Sequence, residues 1–365
     1  MRIALIHDFL NQLGGAEKVL EAFHELYPEA LVYTMIHDEK STKSFFKDWK
    51  IKTSYLQSLP FGIKKYKYYL LLMPSAVESF NFDDYDVILS SSSAYAKGAI
   101  VKPNSLSICY CHTPTRYLWS DAHTYVQELG QGKLFKKFLP IPLNYLRMWD
   151  RLAAERVDNF IANSNFVAKR IKKYYHRESK VIYPPVEVEK FKISPEIDNY
   201  FLVISRLRPY KKVELAMQAF YKLGIPLKII GVGSEKNDKE RVKKFIKPNI
   251  EFLGYVSEEE KAKYLSRCKA LIHPQEEDFG ITAVEAMASG RPVIAYKSGG
   301  VLETVIDGAT GKFFEEQTWE CLADAVIKFK AEDFDPVKIR EHSLKFSKER
   351  FKNEIKEFIE NKLKH

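Results

Sequence analysis

Short runs of apolar and β-branched residues alternate along the chain with longer segments in which apolar residues recur at helical spacing. The runs in the first half are RIALI, ALVYTMI, DVILSS, SLSICYC, NFIANS and KVIYPP. Those in the second half are YFLVIS, LKIIGVG, IEFLGYV, ALIHP, PVIAY and GKFFE. Because strands that alternate with helices form parallel sheets, the pattern predicts an α/β fold with two doubly wound, Rossmann-like domains.

One segment interrupts this alternation and predicts where the two domains meet. Residues 183–199, YPPVEVEKFKISPEIDN, combine three prolines with several charged residues, which is typical of a linker. We therefore expect a linker at 185–198 between an N-terminal domain, 1–184, and a C-terminal domain, 199–345. The two domains are expected to face each other across a cleft.

Two helical segments have an apolar face. The helix after the first strand begins at about Ala16 and places on one face Val19, Leu20, Phe23 and Leu26. The closing segment, 346–365, has at helical spacing Phe351, Ile355, Phe358 and Ile359. We expect both segments to be amphipathic helices.

Composition narrows the classes of function. The chain has 365 residues, 45% of them hydrophobic, and its net charge of +9 favours an anionic partner such as a nucleotide phosphate, a nucleic acid or a lipid surface. Its four scattered cysteines fit a reducing cytosol better than a disulfide framework. The start, MRIALIHDFL, is strand-like rather than a signal peptide, and no run approaches the roughly 18 apolar residues of a spanning helix. We therefore expect a cytoplasmic protein.

Ligands of open α/β sheets lie beyond the carboxyl ends of the strands, so residues that follow the strands are the candidate site residues. Gly14 and Gly15 follow the first strand and precede a helix, where the backbone could approach an anion or simply turn. In SRLRPYKK, after the strand YFLVIS, Arg206 and Lys211 could neutralise a diphosphate. The alternative is that this segment is a solvated basic loop.

Two carboxylates flank a helix start in EEDFGITAVEAMASG, which follows the strand ALIHP. The turn Phe279-Gly280 precedes a helix that begins at Ile281. Glu277 lies before this helix and Glu285 lies one turn inside it. Free amides at a helix start favour a phosphate, and carboxylates accept hydrogen bonds from hydroxyls, so the arrangement suits a nucleotide sugar. The alternative is that Glu277 is a partner of the helix dipole and Glu285 a surface residue.

A histidine and a run of serines follow two further strands. His112 comes directly after SLSICYC and could hydrogen-bond a substrate or only the local backbone. The serines at 90–93, which follow DVIL, are equally ambiguous. Neither feature alone predicts a function.

Taken together, HPQEEDFGITAVEAMASGRPVIA, SRLRPYKKVELAMQAF, GGAEKVLEAF and SGGVLETVIDGATGKFF resemble the retaining nucleotide-sugar glycosyltransferases of family four. The resemblance covers nearly the whole chain and implies the GT-B fold, with the final helix crossing back to the first domain. The segments ICYCHTPTRYLW, NFIANSNFVAKRIKKYY and KVIYPPV are similar to the mannosyltransferase branch that builds bacterial O-antigen and exopolysaccharide units. That branch implies GDP-mannose as donor and a saccharide or lipid-linked saccharide as acceptor in lipopolysaccharide or exopolysaccharide synthesis.

The resemblance also implies a role for each candidate residue. Arg206 and Lys211 are expected to hold the donor diphosphate and to stabilise its charge as it departs. Glu277 is expected at hydroxyls of the donor sugar, Glu285 at the ribose, and His112 near the sugar on the N-terminal side. The other donor-binding positions that it implies are Gly14, Gly15, Gly233, Phe279, Gly280 and Ile281.

No cofactor and no metal are expected. Arg206, Lys211 and a helix N-terminus supply positive charge at the leaving group, and no Asp-x-Asp motif follows a strand. The family implies attack on the face that the leaving group vacates, with the phosphate taking the acceptor proton. Because Glu276 adjoins Glu277 and Lys212 adjoins Lys211, an exchange of roles within each pair stays open.

Two segments of the N-terminal half, 59–74 and 132–149, mix lysines with aromatic and aliphatic residues. This composition suits an anionic membrane surface that carries a lipid-linked acceptor, and implies a peripheral position on the cytoplasmic face of the inner membrane. The alternative is amphipathic helices that cover the domain with lysines reaching water. Prolines in both segments argue against a long interfacial helix.

Other functions stay open at this level. A protein of the same fold could use a UDP-sugar, epimerise a nucleotide sugar, or bind one as a pseudoenzyme. The complete set of Arg206, Lys211, Glu277 and Glu285 favours a transferase over the last two. A nucleic-acid-binding protein would explain the positive charge, but no RNA- or DNA-binding module is recognised.

Overall fold

The computed structural model describes residues 1–128, 133–231, 245 and 247–364. The chain forms two compact units. The first comprises Met1–Pro184 and Phe351–His365, and the second comprises Pro185–Arg350. Each unit is built on one parallel sheet with helices packed on it, so the predicted α/β fold with two Rossmann-like units is confirmed.

The first unit has a seven-stranded parallel sheet. Its strands are β1 Ile3–His7, β2 Leu31–Thr34, β3 Ile51–Thr53, β4 Val87–Ser92, β5 Leu106–Cys111, β6 Asn159–Ala162 and β7 Ser179–Val181. Its helices are Gly15–Leu26, Met73–Glu78, Ala122–Glu128, Lys133–Phe138, Pro140–Glu155, Asn165–Tyr175 and the final helix Lys348–Leu363. The spatial order β3-β2-β1-β4-β5-β6-β7 makes β1, β4 and β5 neighbours. Their carboxyl ends therefore lie side by side.

The final helix packs on the core of the first unit. Its apolar face buries Phe351, Ile355 and Ile359, the positions that the helical spacing predicts. The ring of Phe351 stacks on Phe23 of the first helix, with 5.8 Å between the ring centroids. Apolar burial of this kind stabilises the packing of a helix that is otherwise rich in charged residues.

The second unit has a six-stranded parallel sheet. Its strands are β8 Phe201–Ile204, β9 Leu227–Ile230, β10 Ile250–Gly254, β11 Leu271–His273, β12 Val293–Tyr296 and β13 Gly311–Phe314. Its described helices are Val213–Leu223, Glu258–Arg267, Ile281–Ala288, Val301–Thr304, Trp319–Ile327 and Pro336–Ser343. In the order β10-β9-β8-β11-β12-β13, the direction in which successive strands are added to the sheet changes between β8 and β11. Ligands of open α/β sheets lie at such a switch point.

The segment 185–198, which its composition predicts to be a linker, is packed into the second unit. Val186, Val188 and Phe191 are buried, and the Val186 N–H donates to the carbonyl of Phe346 at 3.0 Å. In VEVEKF the apolar residues are separated by charged ones, so one side of an extended chain can be buried while the other side meets water.

The prolines of segment 132–149 lie at the start of a helix, just after the preceding helix Lys133–Phe138 has ended. Pro140 and Pro142 lie in the first turn of the helix Pro140–Glu155, where a missing N–H removes no helical hydrogen bond. This helix therefore continues for 16 residues and buries Leu143 and Leu146. Among the described residues, no helix is both long enough and apolar enough to cross a bilayer.

Candidate functional site

The strands β8 and β11 are neighbours, so the segments that follow them start next to each other. Lys211, from the segment after β8, donates a hydrogen bond to Glu277 Oε1 in an ion pair. Gln275 Nε2 donates to the same oxygen at 2.9 Å. The Glu277 side chain is 21% exposed, so this pair is shielded from water but still reachable by a ligand.

The environment keeps Glu277 ionised. Burial alone would raise the pKa of its carboxyl, but Lys211, with smaller contributions from His273 and Gln275, lowers it to about 2. Burial lowers the pKa of His273, against an opposing effect of Glu277, so this imidazole is neutral at pH 7. A carboxylate accepts hydrogen bonds, and sugar hydroxyls donate them.

The contacts of Glu277 leave one of its oxygens available. Both protein donors reach Oε1, and within the described part of the chain Oε2 has no hydrogen-bonding partner. The Glu277 carbonyl accepts from the N–H of Gly300 at 2.8 Å, which fixes the backbone beneath the side chain. The carboxylate is thus held in place and can still accept from a ligand through Oε2.

A glycine pair in the loop after β12 makes this close approach possible. A Cβ on Gly300 would lie 2.3 Å from the Asp278 carbonyl oxygen, and one on Gly299 would lie 2.5 Å from the Glu277 carbonyl oxygen. No larger residue fits at either position without moving the backbone that carries Glu277. The sequence signal is the pair itself, but nothing in the sequence shows that it packs on Glu277.

The predicted helix start is present. Gly280 precedes the helix Ile281–Ala288 with φ of +92°, a left-handed conformation that favours glycine. No side chain caps this end, so its amides are available for an anion. Phe279, which the family resemblance predicts to be donor-binding, is 3% exposed and packs edge-on against Phe346 with ring centroids 5.6 Å apart. Its side chain is a core group, and only its backbone can face a ligand.

Glu285 lies in a second buried ion pair. Its side chain is 2% exposed, and Lys261 Nζ lies 3.1 Å from Oε1. Lys261 also pairs with Glu258 at 2.7 Å. The alternative of Glu285 as a surface residue is therefore wrong, whereas its contact with a ribose stays a prediction. Sequence patterns gave no signal for Lys261, because its partner is 24 residues away.

The structure separates the adjacent candidates. Lys211 contacts Glu277, whereas Lys212 is exposed. Glu276 accepts from the Ser298 hydroxyl at 2.5 Å. Arg206 is exposed, and in the described ranges no carboxylate pairs with it, so its charge is available to a ligand. Gly233 falls outside the described residues.

A second cluster lies in the first unit, at the carboxyl ends of β1, β4 and β5. His7 and Ser91 are register partners on β1 and β4, and His112 directly follows β5. Ser91 Oγ lies 3.0 Å from His7 Nδ1 and 2.8 Å from His112 Nε2. One hydroxyl therefore bridges the two imidazoles. Burial, with a smaller effect of His7 and an opposing one of Glu17, lowers the pKa of His112 to about 3, so it is neutral at pH 7.

The first helix brings a carboxylate to the same cluster. It begins at Gly15, with Gly14 as its N-cap, and places Glu17 in its first turn. Glu17 Oε1 is 3.7 Å from His7 Nε2, and both side chains are 4% exposed. Burial would raise the pKa of Glu17, but its interaction with His7 lowers it. The sequence pattern indicates the glycines and His112 but gives no signal for His7 or Glu17, although Glu17 closely follows the glycine pair.

Two family profiles match the chain. Residues 14–190 match the family described as "Glycosyltransferase Family 4" and residues 186–361 match "Glycosyl transferases group 1". The α-1,3/1,6-mannosyltransferase ALG2 of Dictyostelium discoideum is 28% identical, over 64% of this chain and 64% of its own length. ALG2 of Schizosaccharomyces pombe is 25% identical, over 85% of this chain and 70% of its own. The chain thus spans less than two thirds of the first relative.

Solved glycosyltransferase-related structures are similar to this chain in fold. Anabaena Alr3699/HepE in complex with UDP-glucose has a TM-score of 0.77 at 19% identity, with 99% of this chain and 100% of that chain covered. Sucrose-phosphate synthase of Thermosynechococcus elongatus has a TM-score of 0.76 at 17% identity, with 100% and 99% covered. At these identities the likeness concerns the fold.

Proposed function

The chain belongs to the GT-B glycosyltransferases, with a family 4 domain followed by a group 1 domain, and from this premise we propose that it is a retaining mannosyltransferase. The donor in this proposal is GDP-mannose, and the acceptor is a saccharide or lipid-linked saccharide of a bacterial surface polysaccharide, such as lipopolysaccharide or an exopolysaccharide. The observation that carries the proposal is the Glu277 carboxylate, fixed through Oε1 by Lys211 and Gln275 and available through Oε2.

In this proposal Glu277 accepts hydrogen bonds from hydroxyls of the donor sugar. Charge-assisted hydrogen bonds are stronger than neutral ones, so an ionised carboxylate suits a hydroxyl-rich ligand. The low pKa of Glu277 keeps it in that form across the physiological range. Glu285 lies within the helix Ile281–Ala288 and is paired with Lys261. In this proposal it accepts a hydrogen bond from a hydroxyl of the ribose.

The nucleoside diphosphate leaving group requires positive charge. We assign this role to Arg206, whose side chain is exposed, to Lys211, and to the uncapped helix start at Gly280 and Ile281. Transfer breaks the bond between the anomeric carbon and the phosphate oxygen, and the acceptor oxygen bonds to the same face of the sugar. The departing phosphate takes the acceptor proton, so the proposal requires neither a metal nor a nucleophilic side chain.

Mannose is favoured by the relatives. Both ALG2 proteins above are described as mannosyltransferases, and they match this chain in sequence at 25–28% identity. A UDP-sugar is the alternative donor, because the solved structure of similar fold from Anabaena contains UDP-glucose. The choice between them is made by experiment.

An exposed apolar stripe supports a lipid-linked acceptor. The helix Pro140–Glu155 leaves four apolar side chains 53–70% exposed at successive turns, namely Ile141, Tyr145, Met148 and Leu152. The segment 59–74 packs on the apolar core cluster to which Leu143 and Leu146 of this helix also belong. In this segment Phe61 and Tyr68 are exposed among lysines 64, 65 and 67. Apolar side chains beside lysines suit the interface of an anionic bilayer, so we propose peripheral binding to the cytoplasmic leaflet.

The test is a thermal-shift series with GDP-mannose and with UDP-, ADP- and dTDP-sugars, followed by transfer assays with the donor that binds. Ligand that binds only the folded state raises the melting temperature. The proposal expects a selective shift with GDP-mannose that is reduced in Glu277→Gln and retained in Glu276→Gln. A shift with UDP-sugars alone would replace the donor, and no shift with any nucleotide sugar would overturn the proposal.

A further inference from the structure

Four buried or half-buried side chains form a continuous line in the first unit. It starts at Glu17 on the first helix, passes through His7 on β1 and Ser91 on β4, and ends at His112 after β5. The distances are 3.7 Å from Glu17 Oε1 to His7 Nε2, 3.0 Å from His7 Nδ1 to Ser91 Oγ, and 2.8 Å from Ser91 Oγ to His112 Nε2. Of these four residues, the family resemblance gives a role only to the last, His112, near the donor sugar.

The Ser91 hydroxyl couples the two histidines. It carries one proton, so it donates to one facing ring nitrogen and accepts from the other. If His7 Nδ1 lacks a proton, His112 Nε2 must carry one, and the reverse also holds. The protonation of one imidazole therefore determines the tautomer of the other.

Glu17 determines which group donates and which accepts in the hydrogen bonds of this line. The Glu17 carboxylate lies 3.7 Å from His7 Nε2 and favours an N–H on that nitrogen, so when the His7 ring holds a single proton that proton lies on Nε2 and Nδ1 is an acceptor. Ser91 then donates to His7 Nδ1 and accepts from His112 Nε2–H. The remaining nitrogen of His112, Nδ1, is left without a proton.

We propose that Glu17, His7 and Ser91 are positioning residues that hold His112 as the Nε2-protonated tautomer, with Nδ1 ready to accept a hydrogen bond from a hydroxyl of the donor sugar. The identity of that hydroxyl rests on the proposed function, whereas the tautomer rests on the contacts alone. Glu17 and His7 touch no substrate and act only through Ser91.

The surroundings of His112 leave its ring orientation to Ser91. The backbone N–H of His112 donates to the Ser92 carbonyl at 2.9 Å, and the backbone carbonyl of His112 accepts from Asn163 Nδ2 at 2.9 Å. The backbone of His112 is therefore fixed. The low pKa of His112 keeps the ring neutral, which makes the tautomer the variable that matters. Burial raises the pKa of Glu17, and His7 lowers it most, with smaller contributions from the Glu17 backbone and Gln12, so His7 is the main partner of this carboxylate.

The test is Glu17→Gln, which keeps the shape of the side chain and removes its charge. The amide can present either its oxygen or its N–H to His7 Nε2, so this nitrogen is no longer held as the donor and the Ser91 hydroxyl can take both orientations. Nitrogen-15 NMR of labelled histidines is expected to show His112 protonated on Nε2 in the wild type and a mixture of the Nε2 and Nδ1 tautomers in the variant. His112→Gln assigns the resonances.

The kinetic readout is a fall in kcat. Loss of one buried hydrogen bond to the reacting sugar corresponds to about a 10- to 100-fold decrease, expected for both Glu17→Gln and Ser91→Ala. The matched control is Ser90→Ala, since Ser90 is a buried neighbour on the same strand whose hydroxyl donates only to the Ile108 carbonyl. The melting-temperature shift produced by GDP is expected to stay unchanged in all three variants.

Two results would overturn the inference: a His112 tautomer that is the same in wild type and Glu17→Gln, or equal kcat for Ser91→Ala and Ser90→Ala. The tautomer is measured without substrate, so it decides the inference even if the wild type transfers no mannose. That outcome would remove the proposed function and leave the coupling of the histidines standing. If Glu17→Gln fails to fold, Ser91→Ala provides the same NMR comparison, with loss of the fixed tautomer as the expected result.

Discussion

The ion pair between Glu277 and Lys211 predicts a specific loss of stability in acid. The pKa of Glu277 is lowered from 4.5 to about 2 in the folded protein. Since a tenfold difference in proton affinity corresponds to about 1.4 kcal/mol, the folded environment favours the carboxylate by about 3 kcal/mol. This is an upper bound, because the Glu277 side chain is 21% exposed and water weakens the pair.

The direction of the pKa change determines whether acid raises or lowers the free energy of unfolding. The folded pKa lies below the unfolded one, so the stabilisation is complete above about pH 5 and is lost as the pH falls towards 2. At about pH 3, roughly 2 kcal/mol of it should be gone. In Glu277→Gln this contribution is absent at every pH. The difference in unfolding free energy between wild type and variant should therefore shrink by that amount between about pH 6 and pH 3.

The assay is urea unfolding followed by tryptophan fluorescence. Of the four tryptophans, Trp319 belongs to the second unit, and Trp49, Trp119 and Trp149 belong to the first. A background in which only Trp319 remains reports the unfolding of the unit that contains Glu277. The control is Glu276→Gln, which removes the adjacent carboxylate, bound to Ser298, and leaves the contact with Lys211 in place. A wild-type-minus-variant difference that stays constant with pH, or grows in acid, would refute the reasoning.

Three further outcomes are expected. Arg206→Met should lower kcat by about 10²- to 10³-fold with little change in melting temperature, because its exposed guanidinium contributes to the leaving group and not to packing; an unchanged kcat would contradict this role. Gly300→Ala should abolish the shift with donor, since its Cβ would lie 2.3 Å from the Asp278 carbonyl oxygen and displace the backbone of the site; normal donor binding would show that this loop is adaptable. Replacing Ile141 and Met148 together by Ser should reduce flotation with anionic vesicles and spare transfer to a soluble acceptor, whereas equal flotation would rule out this stripe as the lipid-binding face.

Most of the fold could be predicted because buried parallel strands are continuous apolar runs. All twelve runs identified in the sequence contain strands of the two sheets. The strand that was missed is β3, Ile51–Thr53, a three-residue edge strand with no buried residue and therefore no apolar pattern. The prolines at 140 and 142 fall where the helix Lys133–Phe138 has ended and the helix Pro140–Glu155 begins, so segment 132–149 is not one long helix, as these prolines predict.

The site could be predicted only in part. Spacing identified Glu277 and Glu285 because one precedes and the other lies one turn inside a helix that follows a strand. It did not identify their partners Lys211 and Lys261 as ion pairs, since these contacts join residues 66 and 24 positions apart. Ser91 was visible only as one of several serines. Its importance depends on the register of β1 against β4, which is set by packing of the whole sheet.

Two buried aspartates, Asp8 and Asp150, differ from Glu277 in how fully their hydrogen-bonding capacity is used. Asp8 accepts four backbone hydrogen bonds from residues 93–96, so both of its oxygens are occupied. The Asp150 carboxylate is also fully used, by Lys97, Thr115, Trp119 and Tyr175. A buried polar group whose hydrogen bonds are all made stabilises the fold and offers nothing to a ligand. Glu277 differs because both of its protein donors bind Oε1. A ligand that donates a hydrogen bond to Oε2 therefore gains an interaction that the described part of the chain does not itself make.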